Sequence, residues 1–364
     1  LGEISIPLHH PSALAYWWLP TLKSLEQQFM AETAPMVGVV IVNWNGRIHL
    51  ERCLDAMACQ ITRSFEVVVV DNGSADGSAE MVRQRFPHVR LLCQPRNLGF
   101  AEANNVGIRL LSNPFVATLN NDTEPRPDWL DQLTAPALVD ERVGMVASKM
   151  LFAHRPGVIN SAGIAMDRVG IAWDRLGGRP DRGAGPVEEV FGPCAGAALY
   201  RRSMLDEIGL FDQEFFAYLE DVDLAWRARL AGWKCLYAPA AVVSHVHSAT
   251  GVEGSPFKSY QLGRNKLWTI AKNYPSPQLY LALPMIAAYD LAAVLYGIVA
   301  RRDLAALRGR LAGLSGLPRQ WRKRRGVQKL RRVTYSDLAK QMSPIATPFG
   351  VLARYRHLRL EEAC

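Results

Sequence analysis

"VATLNNDTEP", Val116 to Pro125, is a hydrophobic run that ends in two asparagines and an aspartate and breaks at a proline. Packing alone gives the end of a buried strand no use for three such side chains. Their oxygens suit a hard cation or a polar ligand. On the N-terminal side, "VGVVIVN" (Val37–Asn43) and "FEVVVVD" (Phe65–Asp71) are continuous apolar runs rich in β-branched residues. Such runs fit parallel strands covered on both faces. Further strands are expected over Val89–Cys93 and Phe115–Leu119, with helices over about 48–59, 76–86 and 100–111. The resulting βαβαβαβ order predicts an α/β fold, an open doubly wound sheet with helices on both faces and ligands at the carboxyl ends of its strands. Asn43, Asp71 and Asn120-Asn121-Asp122 all fall at such ends. One polar residue there is an ordinary turn former; three sets on one edge point to a site.

The familiar alternatives for such a sheet lack their motifs. The turn after the first strand reads "NWNGRIH", with a single glycine, so the dinucleotide-binding GxGxxG is missing, and there is no GxxxxGK[ST]. If a diphosphate binds, a divalent cation held by carboxylate is the natural counter-charge. The six cysteines contain no CxxC pair, which argues against a zinc module or disulfide framework and fits a reducing cytosol.

The net charge of +8 is unevenly spread. Between Arg301 and Arg332 stand twelve Lys/Arg and one acid, Asp303, so that segment is +11 and the rest of the chain is about −3. An anionic membrane surface and nucleic acid are the partners such a segment attracts. Only Trp321 interrupts the cations with an aromatic ring, which offers little base stacking and argues against nucleic acid. The preceding apolar stretch, residues 279–300, is of near-spanning length but carries Pro284 and Asp290. A helix lying in the membrane interface is expected there rather than a span, with a helix packed on the catalytic domain as the plainer alternative. The expected divisions are an N-terminal extension (1–36), a catalytic domain (37–275) and a helical, basic, membrane-associated region (276–364). The Gly/Pro/Arg-rich "DRLGGRPDRGAGP" is expected to be a mobile flap.

Together, "VNWNG", "VVDNGSADGS", "NLGFAEANNVG", "LNNDTEP", "GAALYRR", "GLFDQEFFAYLEDVDLAWRARLAGW" and "RNKL" resemble the family 2 glycosyltransferases, inverting enzymes of the GT-A fold with a mixed sheet, and among them the bacterial rhamnosyltransferase-like branch. The resemblance covers about Val37 to Pro275. It implies that Asn43 and Asp71 hold the nucleotide base, with Asp71 accepting the imide N–H that uracil and thymine share. Arg96, Asn97, Gly99 and Asn104 match the segment lining the nucleoside side of the cleft. Asn120-Asn121-Asp122 stands at the family's DxD position but keeps only its last acid. Asp122 would therefore hold Mg²⁺ or Mn²⁺ on the diphosphate, with Asn120 on ribose or sugar, Asn121 among the donor-binding residues and His245 as second metal ligand. Asp221 matches the catalytic base, and Glu220 beside it positions the acceptor or tunes that base. Asp223 reads as structural. Gly196 keeps the donor-sugar site free of bulk, and Arg264 and Asn265 match a pair near the diphosphate or acceptor. The implied substrates are a dTDP- or UDP-sugar donor and a glycan acceptor on polyprenyl diphosphate. The implied location is the cytoplasmic face of the inner membrane, with the oligomeric state left open. The weakened DxD leaves one rival, a catalytically silent sugar-nucleotide-binding scaffold.

Overall fold

The computed structural model describes residues 36–246 and 255–345; His247 and all of the N-terminal extension except Met36 lie outside them. The first half runs β1 (Val37–Asn43), α1 (Arg47–Ala58), β2 (Phe65–Asp71), α2 (Ser78–Arg85), β3 (Arg90–Cys93), α3 (Gly99–Arg109) and β4 (Phe115–Asn120). Alternate side chains of the apolar strands enter opposite cores. Val39 and Ile41 join Leu50, Leu54 and Met57 of α1 on one face, while Val40 joins Ala101, Ala103 and Ile108 of α3 on the other. Each fully buried aliphatic side chain contributes roughly 1.5–3 kcal/mol, which is why these strands read as unbroken hydrophobic runs.

Then come β5 (Thr123–Pro125), α4 (Trp129–Val139), β6 (Val143–Phe152), β7 (Ile159–Ser161), β8 (Ile164–Met166), β9 (Ala172–Asp174), β10 (Glu188–Glu189), β11 (Ala197–Arg201), α5 (Arg202–Ile208), α6 (Glu220–Leu230) and β12 (Lys234–His245). The main sheet has the order β10-β12-β6-β11-β4-β1-β2-β3. Strands β1 to β4 pair in parallel, whereas β11 is antiparallel to both β4 and β6, so the sheet is mixed. The chain leaves β1 for β2 and β3, then crosses to place β4 on the other side of β1. That reversal opens a crevice at the carboxyl ends of β1 and β4, the place where sheets of this kind bind ligands.

The glycine-rich loop differs from the expected flap. Lys149, buried on β6, donates from Nζ to Asp181 Oδ1 and to the Gly183 carbonyl, both at 2.9 Å. The Asp181 amide donates to Gly157 O at 2.6 Å, and Arg175 pairs with Glu188. Loop composition alone does not show that a buried ammonium needs this loop for its counter-charge.

The C-terminal part forms α7 (Pro256–Asn273), α8 (Gln278–Arg301), α9 (Ala305–Lys329) and α10 (Tyr335–Lys340). Helix α9 lies along α7 with Gly309, Gly313 and Gly316 at the seam. A Cβ on Gly309 would sit 2.2 Å from the Tyr260 carbonyl oxygen, and one on Gly316 2.6 Å from the Trp268 ring. The expected boundary at residue 275 thus falls between two helices that pack tightly on each other. Gly309→Leu is expected to push α9 off α7 and to cost about 2–3 kcal/mol, seen as a lower midpoint in thermal or urea unfolding.

Candidate active site

At the carboxyl edge of β1, β2 and β4, the expected polar residues meet, but largely one another. Asn43, fully buried, donates from Nδ2 to Asp71 Oδ1 (3.2 Å) and Ser74 Oγ (3.1 Å), and its Oδ1 accepts from Asn121 Nδ2 (2.7 Å). Asn43 and Asn121 are thus bonded to each other across the crevice floor. Asp71 accepts from Asn43 and from the Ser74 amide (3.2 Å) and keeps acceptor capacity. Beside it, Trp44 is 42% exposed at the end of β1. The sequence reading passed over this indole, although "VNWNG" places it outside the strand.

The "NLGFAEANN" segment is also turned to structural use. Asn97 Oδ1 accepts from Asn72 Nδ2 (2.9 Å) and the Gly99 amide (2.8 Å), and buried Asn104 donates to the Phe100 carbonyl (2.9 Å). Gly99 has φ +82°, and a Cβ there would lie 2.5–2.6 Å from the Phe216 ring and carbonyl oxygen. The glycine therefore leaves room for the close approach of Phe216. Arg96 is exposed, with its backbone over Gly73.

Asp122 and His245 come together. His245 Nε2 lies 3.2 Å from Asp122 Oδ1, and its Nδ1 is 2.8 Å from Asn160 Oδ1. This pairing follows from the sheet, because β5 and β12 are antiparallel with His245 opposite Thr123, and the Val246 amide donates to the Asp122 carbonyl (2.9 Å). Asp122 Oδ1 is buried, with the His245 imidazole as its neighbour. A buried anionic oxygen in that state fits a divalent cation. Asn160 on β7, which no motif singled out, orients the imidazole as a partner of a metal-bound histidine does.

Between this pair and α6 runs the short segment Ala195–Gly196. The Gly196 carbonyl accepts from the Asn120 amide (2.8 Å), and a Cβ on Gly196 would stand 3.1 Å from Asn120 Nδ2. Next to it, the Ala195 amide donates to Asp221 Oδ2 (3.2 Å), and the Val222 amide to Asp221 Oδ1 (2.8 Å). Burial pushes the Asp221 carboxyl up to about 6, against the pull of those two N–H donors. Burial and then the charge of Asp221 hold Glu220 well above the usual carboxylate range, and Glu220 Oε2 has no hydrogen-bond partner among the described residues. Of the two neighbouring carboxyls, Asp221 carries the two backbone N–H donors and Glu220 Oε2 carries none among the described residues. Asp223 is fully buried and held by Arg227 Nε (3.0 Å), Lys272 Nζ (2.8 Å) and Asn273 Nδ2 (2.8 Å), a packing role.

Arg264 and Asn265 stand at the loop that leads into α6. Asn265 is fully buried and donates to the carbonyls of Phe215 (3.0 Å), Ala217 (3.0 Å) and Tyr218 (2.7 Å). Arg264 donates to Glu214 O (3.2 Å), Phe215 O (2.8 Å) and Asn265 Oδ1 (2.9 Å), stacked 4.5 Å over Trp268. Both grip the loop before α6, where Phe216, Tyr218 and Leu219 all have positive φ. Such non-glycine residues cost on the order of 1–3 kcal/mol each.

The basic segment is partly internal. Asp290 sits on the protein side of α8, paired with Lys266 Nζ (3.2 Å) and Arg310 Nη2 (2.6 Å). Its charge is thus met by two cations inside the protein. Only a narrow seam of α8, with Leu279, Ile286 and Val294, is covered, while Leu281, Leu291, Leu295 and Val299 are at least half exposed. Among the described residues, Gln278–Ala300 is the one helix long and apolar enough to cross a membrane.

An open mixed sheet with a reversal crevice, a cation-ready Asp–His pair on one side and a raised carboxylate on the other is the arrangement of a GT-A glycosyltransferase. The family model described as "Glycosyl transferase family 2" matches residues 38–209. The N-acetylglucosaminyl-diphospho-decaprenol L-rhamnosyltransferase of Mycobacterium tuberculosis is 30% identical over 269 residues, 67% of this chain and 83% of that protein. The chain belongs to glycosyl transferase family 2. Among solved structures, GalNAc-T7 with UDP, GalNAc and Mn²⁺ has a TM-score of 0.57 at 18% identity, covering 71% of this chain and 52% of that one. Residues 1–349 of Staphylococcus aureus TarS give 0.52 at 18% identity, covering 84% and 87%. At that identity the two share the fold.

Proposed function

We propose that this glycosyltransferase moves a sugar, with inversion at the anomeric carbon, from a nucleoside diphosphate to a hydroxyl of a lipid-linked glycan on the cytoplasmic face of the inner membrane. L-Rhamnose from its dTDP donor is the first choice and a hexose from UDP the second. The observation that carries the reading is the bracketing of Ala195–Gly196 by Asp221 on one side and, on the other, by Asn120, two residues before the Asp122 that pairs with His245. Asp221 takes the proton of the acceptor hydroxyl as its oxygen bonds to the anomeric carbon, and the bond from that carbon to the diphosphate oxygen breaks. Glu220, whose carboxyl is pushed up by burial and by the neighbouring Asp221, positions the acceptor or tunes that base. Asp122 and His245 would hold Mg²⁺ or Mn²⁺, and the imidazole favours Mn²⁺ somewhat. When bound, the ion neutralises charge developing on the departing diphosphate. Trp44 offers a flat face for the base. The mycobacterial rhamnosyltransferase, whose name specifies a decaprenyl-diphosphate-linked acceptor, supports the substrate class.

The exposed apolar faces of α8, together with Leu311, Leu314 and Trp321 on α9 beside exposed Arg308, Arg322 and Arg325, support docking on an anionic leaflet. The test is a screen of dTDP-L-rhamnose and UDP-hexoses against polyprenyl-diphospho-N-acetylglucosamine, in anionic and in neutral vesicles. Rapid transfer from one donor with Mn²⁺ or Mg²⁺, abolished by chelator and faster on anionic vesicles, is expected. Nucleotide binding without transfer or hydrolysis of any donor would instead mark a silent scaffold.

A further inference from the structure

Asp221 is aimed by a loop with an unusual backbone. Phe216 has φ 65° and ψ −65°, with the Ala217 amide bonded back to the Phe215 carbonyl at 2.8 Å, which is the left-handed γ-turn that L-residues rarely adopt. Tyr218 (φ 70°) and Leu219 (φ 67°, ψ 4°) follow, and Leu219 is the residue from which α6 starts. Such a conformation persists only where its surroundings over-determine it.

Those surroundings come from three helices. On α7, Asn265 holds three consecutive-turn carbonyls of Phe215, Ala217 and Tyr218, and its own Oδ1 is fixed by Arg264 Nε. On α9, Gln320 Nε2 donates to Glu214 Oε2 (2.8 Å), while Lys323 Nζ reaches Asp212 (2.7 Å) and Glu214 (3.0 Å). At the start of α3, the Ala101 amide donates to the Phe216 carbonyl (3.1 Å), in the space that Gly99 leaves open.

We infer that Asn265 is a positioning residue for Asp221, backed by Arg264 and, from the basic helix α9, by Gln320 and Lys323. Through Leu219 it sets the direction in which α6 begins, and so where the Asp221 carboxylate stands against the Ala195 amide. Helix α9 is then two-sided: its inner face holds the base loop and its outer face carries the leucines, Trp321 and the exposed arginines. The inference rests on the reading of Asp221 as the base. A donor-binding role for Asn265 is disfavoured because the side chain is fully buried and both ends of its amide are occupied.

The test uses the full chain with Asn265→Ala, Glu214→Ala and Asp221→Asn beside the parent. Glu214 is partly exposed, so its variant keeps the question open should Asn265→Ala fail to fold. In the free protein, hydrogen exchange at residues 216–222 is expected to quicken about tenfold in Asn265→Ala, and less in Glu214→Ala, with β1 to β4 unchanged. Turnover of dTDP-L-rhamnose, or of the UDP-hexose accepted in its place, is expected to fall about 10- to 100-fold at unchanged KM for the donor. Its acid limb should also shift, because the Ala195 contact no longer steadies the carboxylate. A tenfold loss of dTDP or UDP affinity with unchanged exchange would overturn the inference and return Asn265 to donor binding. Unchanged exchange and turnover in both loop variants would overturn it outright. Full turnover in Asp221→Asn would instead reject the underlying assignment of the base, whatever the loop variants do.

Discussion

Asp221→Asn is expected to lower sugar transfer by about 10²- to 10⁴-fold while leaving the affinity for dTDP or UDP within about twofold. The change keeps size and hydrogen-bonding shape but removes the proton acceptor bonded to the Ala195 amide. The pH dependence follows from the same group. Its carboxyl is raised from 3.8 to about 6 by burial, so the working, ionised form is lost as pH falls through 6. The parent enzyme should therefore show an acid limb near pH 6 in kcat/KM, and residual activity of the variant should lack it. The linkage has the opposite sense for stability. A folded-state value above the unfolded one means that the folded chain binds the proton more tightly, so this group's stabilising contribution is full below about pH 4 and lost by about pH 6. Activity gained and stability lost over one pH interval is the mark of a base held in a partly desolvated place. A flat rate profile between pH 5 and 8 would remove Asp221 from that role.

The sheet was readable because its cause is one-dimensional. Val37–Asn43 and Phe65–Asp71 must be apolar throughout if helices cover both faces, and that constraint is written in consecutive residues. The meeting of Asp122 with His245 was reached through resemblance, and the β5–β12 pairing accounts for it. What a sequence does not carry is which partner a polar side chain faces. Asn43, Asn97, Asn104 and Asn121 look like ligand-binding amides in a motif, yet each finds a neighbour within the protein. The same limit hid the purpose of Gly99, since its left-handed turn is legible but the ring of Phe216, 117 positions later, is not. Charge counting failed in a related way. The run from Arg301 to Arg332 reads as a solvated cationic tail, but Arg310, Lys323 and Arg324 face inward onto Asp290, Asp212 and the Ala271 carbonyl.

Asp122→Ala is expected to weaken Mn²⁺-dependent binding of dTDP or UDP by more than about 100-fold and to leave the weak binding in chelator unchanged. The large size follows from the thinness of the donor set. With asparagine at the first two positions of the motif, and Asn121 committed to Asn43, one carboxylate and one imidazole are what the described residues bring together at this edge. The other positions around the ion would fall to diphosphate oxygens and water, as small hard cations in nucleotide sites prefer. His245→Ala should cost somewhat less and should narrow the preference for Mn²⁺ over Mg²⁺, since it leaves an all-oxygen set. Asn160→Ala should cost about tenfold by freeing the imidazole to turn, without touching the ion itself. Isothermal titration of dTDP and UDP with each metal and with chelator, alongside the electron spin resonance signal of bound Mn²⁺, separates these effects from any loss of turnover. Equal nucleotide affinity with and without metal in the parent protein would mean that the buried Asp122 oxygen serves His245 alone, and that the diphosphate is neutralised elsewhere in the crevice.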